Sequence, residues 1–124
     1  MSATYVHLSM LVGAVQIADA AFLLKCKGKI TNAVVWFSFF EYAWAVYSAI
    51  EATSEASHTP QWLPISFIGW IVVGALTGAV ITARNKNKHT LPTIPLWSVV
   101  GGGLFGLYFL TASMWLAAIA RLPA

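Results

Sequence analysis

The chain has 124 residues, of which 59% are hydrophobic and 9% are charged, and its formal net charge is +3. Soluble domains carry about 25% charged residues, so this composition excludes an ordinary soluble domain, a disordered segment and a coiled coil. The single cysteine excludes a disulfide-rich scaffold and a metal site built from several cysteines.

Four apolar windows follow one another along the chain, and together they predict a single transmembrane domain over 1–124. A helix needs about 20 apolar residues to cross the hydrocarbon core. The windows cover about 4–24, 30–50, 62–83 and 96–120. We therefore predict an all-α polytopic membrane protein with a four-helix antiparallel bundle. Because the connecting segments are short, each helix is expected to lie antiparallel beside the helix before it.

The basic residues predict the orientation of these helices in the bilayer. Six of the seven Lys and Arg residues fall in the loops 25–29 and 84–95, whereas the loop between the second and third helices has none. The positive-inside rule makes the two basic loops cytoplasmic and places both termini outside. This distribution is typical of membrane topology, so the expected partner is the lipid bilayer and not a nucleic acid.

Two acidic residues inside predicted spans are the main candidates for function. Asp19 and Glu41 lie within the first two windows, where a charged side chain costs about 2.5–3.5 kcal/mol on insertion scales. Helical spacing places Gln16 on the face of Asp19, and Ser38 and Trp44 beside Glu41. We predict that the two acids couple protons or cations, with these three residues as neighbours. The alternative is a neutral acid that only hydrogen-bonds between helices.

The two acids are not expected to touch within one antiparallel hairpin. Glu41 should lie level with position 13, which is six residues from Asp19. At a rise of ~1.5 Å per residue, the offset is about 9 Å. A staggered relay through Gln16 and Ser38 is left open by this spacing.

Small residues in the last two windows predict close helix packing. Gly74 and Gly78 form one GxxxG motif, and Gly102 and Gly106 form another within the third and fourth windows. Such motifs let helix backbones approach closely, either inside the protein or between subunits. The alternative is that the glycine run 101–103 marks a point where the helix opens to a ligand or flexes.

No metal or cofactor is predicted. The only spacing typical of a helical metal site is formed by Glu51, Glu55 and His58. A complete site needs further ligands, so these residues are interpreted as a solvated loop.

Three functions fit this pattern. The first is a homo-oligomeric carrier or channel that uses Glu41 and Asp19 for proton or cation coupling. The second is an accessory or assembly subunit of a larger membrane complex. The third is a membrane-embedded isomerase or cyclase that acts on an apolar, isoprenoid-like substrate, with one of the acids as general acid. The catalytic residues of such an enzyme are not identified by the sequence.

Overall fold

The computed structural model describes residues 2–54, 59–85 and 93–120. Within these ranges the regular structure is entirely helical: α1 (Ser2–Lys25), α2 (Asn32–Thr53), α3 (Trp62–Arg84) and α4 (Leu96–Ala120). Each helix is long and apolar enough to cross a membrane. The prediction of four apolar helices is therefore confirmed.

The connection between α1 and α2 is built from local capping signals. Lys27 and Gly28 adopt left-handed backbone angles, with φ of 56° and 79°. The amide of Gly28 donates to the carbonyl of Leu23 at 2.8 Å, which satisfies a terminal carbonyl of α1. The hydroxyl of Thr31 then accepts from the backbone of Val34 and caps the start of α2.

Prolines set the starts of α3 and α4. The amide of Leu63 donates to the carbonyl of Pro60 at 3.1 Å, and that of Ser98 to the carbonyl of Pro95 at 3.0 Å. Pro64 lies in the first turn of α3. A proline is tolerated there because a first-turn N–H has no partner within the helix.

The helix pairs differ from the sequential order that the short loops predict. The most extensive packing is between α1 and α4, followed by α2 against α3, whereas α1 touches α2 only sparsely and α3 touches α4 little. The physical reason lies in two glycines. A Cβ at Gly13 would lie 2.6 Å from the backbone nitrogen of Leu110, and a Cβ at Gly106 would lie 2.9 Å from the carbonyl oxygen of Gly13. The backbones of α1 and α4 therefore meet directly.

The two ends of the helix assembly differ in their packing. The end where α1 and α3 finish carries Lys25 and Arg84 and is called the basic end; the end where α1 begins is called the Tyr5 end. At the Tyr5 end all four helices contribute to one hydrophobic cluster: Tyr5, Val6, Val12, Trp44, Leu63, Phe67, Phe109 and Leu116. At the basic end the cluster is smaller and comes from α1, α2 and α4 alone: Ala20, Leu23, Val34 and Val99. The half of α3 next to the basic end thus contributes no residue to this cluster.

Candidate functional site

A cavity of about 440 Å³ occupies the space between the helices on the basic side. All four helices contribute to its wall, and it reaches from Glu41 to Ile30 and Ile94 next to the basic loops. Most of the lining is apolar, but α1, α2, α3 and α4 each place polar side chains along it: Gln16, Asp19, Ser38, Glu41, Thr77, Thr82 and Ser98. A cavity of this size is within the range of small-molecule sites.

The wall formed by α3 consists largely of small residues. Gly74, Ala75 and Gly78 line the cavity, and no atom lies within 4 Å of a Cβ built on either glycine. The structure therefore places these two glycines, expected from their spacing to pack against a helix, beside open space. In this chain their missing side chains widen the cavity.

The amide of Gln16 and the carboxylate of Glu41 meet at the cavity wall. Nε2 of Gln16 donates to Oε2 of Glu41 at 2.8 Å. Gln16 is only 3% exposed, and its Cβ would lie 2.8 Å from a Cβ built on Gly106 of α4. Gly106 thus makes room for Gln16, and Gln16 holds the carboxylate of Glu41.

Asp19 lies one turn from Gln16 and is half-buried in the same wall. It makes no hydrogen bond or ion pair with the residues that the structure describes. The cavity therefore holds two carboxyl groups, one bound to an amide and one open to a ligand or to water.

Ser38 and Trp44 are placed differently from the two acids. The hydroxyl of Ser38 lines the cavity but donates to the carbonyl of Val34 in its own helix at 3.0 Å. Trp44 is 7% exposed and belongs to the cluster at the Tyr5 end, where its ring stacks on that of Tyr5 at 5.0 Å. It does not line the cavity.

Gly102 and Gly106, the glycines of the second motif, have different surroundings: one lines the cavity and the other packs against a helix. Gly102 lines the cavity, and a Cβ built on it would lie 3.5 Å from the ring of Trp70. Gly106 lies against α1, as described above. Gly13 of α1 was not among the residues predicted to pack, because it stands in no GxxxG motif.

Sequence reasoning also missed the contribution of α3 to the site. Trp70 lines the cavity and stacks on Phe105 at 5.2 Å with an interplanar angle of 8°. Thr77 and Ile81 follow at helical spacing on the same wall. The signal was the stripe of aromatic, small and hydroxyl side chains at intervals of three and four residues, which marks one face of a helix.

Metal ligands do not converge in the described part of the chain, where no group of three or more His, Cys, Asp or Glu side chains is suited to a metal ion. The interpretation of Glu51 as part of a solvated loop is wrong, because Glu51 belongs to α2, is buried at the Tyr5 end and accepts a hydrogen bond from Thr59. Glu55 and His58, the other members of the spacing noted in the sequence, lie outside the described residues.

The comparisons with known proteins identify no relative whose site could be compared with this cavity. No protein-family model, curated protein or solved structure matches the chain. The chemistry of the site follows from its own residues.

Proposed function

We propose that the protein is a small membrane carrier that binds a proton or a cation at Glu41 and Asp19. The observation that carries this proposal is the hydrogen bond from Gln16 to Glu41 in the wall of a cavity that also contains Asp19. A carboxyl group held at a fixed position in an apolar cavity is suited to exchange a proton for a positively charged ligand.

Competition between the proton and the cation provides the coupling. When Glu41 is ionised, the cavity holds up to two negative charges, and neither α3 nor α4 places a basic residue along it. A cation that enters neutralises this charge, and so does a proton. Because both stabilise the same carboxylates, binding of one disfavours the other, as exchange transport requires.

The size and position of the cavity favour a carrier over an accessory subunit. An accessory subunit needs only apolar faces for its partners, whereas this chain by itself forms a cavity with two carboxyl groups in its wall. The cavity extends to the basic end, while the cluster at the Tyr5 end fills the space between the helices. This asymmetry is the arrangement expected of a carrier with its site accessible from one side.

The proposed working form is a homo-oligomer. Within one chain, α3 buries little of its surface, and α2 buries less than α1 or α4. A second copy that covers α3 would complete the thin wall formed by Gly74 and Gly78. Native mass spectrometry after mild purification tests this part: a discrete homo-oligomer supports it, and a monomer or a complex with larger subunits contradicts it.

Charge displacement on solid-supported membranes tests the transport function. Proteoliposomes receive steps in pH and in the concentration of Na⁺, K⁺, guanidinium or tetraethylammonium. The expected result is a current for the pH step and for at least one cation with the wild type, and loss of both with Glu41→Gln. This substitution removes the charge while it keeps the shape of the side chain.

Thr111→Ala is the matched control for a substitution within a helix. Thr111 is exposed on α4, and its hydroxyl donates to the carbonyl of Leu107 in its own helix at 2.8 Å, away from the cavity. This variant should transport like the wild type. Currents of wild-type size in Glu41→Gln would overturn the proposed function.

A further inference from the structure

One wall of the cavity is open and apolar over more than two turns of α3. Trp70, Gly74 and Gly78 line the cavity at spacings of four residues, which place them on one face of the helix. No atom of the described residues lies within 4 Å of a Cβ built on either glycine. From Trp70 to Gly78 this face is about 12 Å long, at 1.5 Å per residue. These three residues are called the α3 slot.

The ring of Trp70 is held in place at one end of the slot. It stacks on the ring of Phe105 with a centroid distance of 5.2 Å. Its edge packs on α4, where a Cβ built on Gly101 or on Gly102 would lie 3.5 Å from it. Because these contacts fix the ring while Trp70 still lines the cavity, the slot offers a preformed aromatic surface to a ligand.

Asp19 lies at the height of this ring. A Cβ built on Gly103, the residue after Gly102 in α4, would lie 3.2 Å from the Cβ of Ala20. Consecutive residues of α4 thus contact Trp70 on α3 and the neighbour of Asp19 on α1, so the carboxyl group and the ring belong to adjoining walls of the cavity. A carboxylate near an aromatic ring suits an organic ammonium group, because both attract its positive charge.

An inorganic cation would use little of this cavity. Hard cations bind several oxygen ligands at once, but Ala20 and Leu23, the lining residues that follow Asp19 on α1, are apolar. The hydroxyl of Thr77 donates to the carbonyl of Val73 in its own helix at 2.8 Å. An inorganic cation at Asp19 would leave water against the apolar α3 slot, whereas the body of an organic cation would displace that water.

We propose that the cation bound by this protein is an organic ammonium ion with an apolar body. Its positive group lies against Asp19, and its body, up to about 12 Å long, lies in the α3 slot. This inference rests on the proposed function and names the substrate class of the same site. The carboxyl groups provide the charge that a proton competes for, and the slot selects the ligand by its apolar contacts.

The test compares binding of cations that carry the same charge on different bodies. Isothermal titration calorimetry in nonionic detergent gives the Kd of Na⁺, tetramethylammonium and benzyltrimethylammonium, with displacement titrations for the weak ligands. We expect the Kd of benzyltrimethylammonium to be at least about tenfold below that of tetramethylammonium, the equivalent of ~1.4 kcal/mol. Titrations in two buffers of different ionisation enthalpy should show that binding releases protons.

Gly74→Leu tests the slot without a change in charge. A Cβ at Gly74 meets open space, so the helices should pack as in the wild type, while the leucine side chain occupies the slot. We expect the Kd of benzyltrimethylammonium to rise about tenfold and that of tetramethylammonium to stay unchanged. Gly69→Leu is the matched control, because a Cβ at Gly69 also meets open space but Gly69 does not line the cavity.

Trp70→Leu tests the aromatic surface. We expect the Kd of benzyltrimethylammonium to rise about tenfold, while the cation that binds still releases protons because both carboxyl groups are kept. Trp36→Leu is the matched control, because Trp36 is 72% exposed and does not line the cavity. Wild-type affinity for benzyltrimethylammonium in both Gly74→Leu and Trp70→Leu would overturn the inference.

Failure of this inference can be told apart from failure of the proposed function. Equal Kd values for tetramethylammonium and benzyltrimethylammonium, with protons released by both, would overturn the substrate class and leave the carrier intact. Tight binding of benzyltrimethylammonium to Glu41→Gln, together with transport currents of wild-type size in that variant, would overturn the proposed function as well.

Discussion

Gln16 of α1 and Glu41 of α2 are joined by a hydrogen bond of 2.8 Å although 25 residues separate them in the chain. These two helices otherwise touch only sparsely, because α1 packs on α4 and α2 packs on α3. The bond therefore links the two helix pairs at the wall of the cavity. Any change in the charge of Glu41 acts directly on this contact between the pairs.

Replacing both partners should reveal the strength of this link. In a double-mutant cycle of Gln16→Leu and Glu41→Leu, we expect a coupling energy between about 0.6 kcal/mol, the average for hydrogen bonds between membrane helices, and about 1.7 kcal/mol, the largest value found for them. The measurement is the free energy of unfolding in mixed micelles. Gln16→Leu alone should be the more harmful change, because it leaves a carboxyl group without its donor.

The control for this cycle pairs Gln16→Leu with Glu51→Leu. Glu51 lies ten residues further along the same helix and binds Thr59 instead. Changes at distant sites without shared partners add independently, so the coupling energy should be close to zero. Equal coupling in the two cycles would contradict a specific bond between Gln16 and Glu41.

The glycines divide into two groups with opposite responses to alanine. At Gly13 and Gly106 a Cβ would lie less than 3 Å from backbone atoms of the facing helix, so alanine should destabilise the protein by about 1–3 kcal/mol. At Gly74 and Gly78 a Cβ meets open space. There, alanine should leave the stability unchanged or raise it by up to about 1 kcal/mol, because it is the better helix former. Thermal unfolding of the four variants in detergent distinguishes the groups, and a large loss at Gly78 would contradict this division.

The same glycines show what the sequence can predict and what it cannot. Apolar windows of sufficient length predicted the four helices, because a backbone in lipid must satisfy its own hydrogen bonds. The helix that faces each glycine motif could not be predicted, since a GxxxG motif indicates a close contact but does not identify the helix on the other side. Gly106 packs against Gly13, a glycine outside any GxxxG motif. Gly74 and Gly78, which form the same motif in α3, lie beside the cavity instead.

The candidate site was only partly accessible to sequence reasoning for a related reason. An acid in an apolar span is visible in the sequence, as is a neighbour on its own helix such as Gln16. The contact between Gln16 and Glu41 depends on the relative rotation and height of two helices that scarcely pack. The burial of Trp44 away from the cavity depends on Tyr5, 39 residues earlier in the chain, and no local pattern encodes that pairing.

Filling the cavity should slow transport without loss of stability. Gly78 lines the cavity and has room for a side chain. In Gly78→Phe, we expect the unfolding temperature to stay near that of the wild type, while cation currents on solid-supported membranes fall by about tenfold, equivalent to ~1.4 kcal/mol in barrier or affinity. Val80→Phe is the matched control, because Val80 is exposed and does not line this cavity. Full currents in Gly78→Phe would contradict a transport role for the cavity.

The turn after α1 should respond in opposite directions at its two left-handed residues. Gly28 has φ of 79°, and a Cβ there would meet the carbonyl oxygen of Ile94. Gly28→Ala should therefore cost more than the ~1–2 kcal/mol of a left-handed L-residue. Lys27 already has φ of 56°, so Lys27→Gly should relieve strain and stabilise the turn. The free energy of unfolding of each variant is the measurement, and destabilisation by Lys27→Gly would contradict this account.

The single cysteine provides a direct test of the proposed orientation. Cys26 lies in the basic turn between α1 and α2, which the positive-inside rule places in the cytoplasm. A membrane-impermeant maleimide should label Cys26 in inverted vesicles and leave it unlabelled in intact cells. Ser54→Cys in a Cys26→Ser background is the matched control, because Ser54 is exposed at the opposite end of α2. It should show the reverse pattern, and labelling of Cys26 from the outside would contradict the predicted orientation.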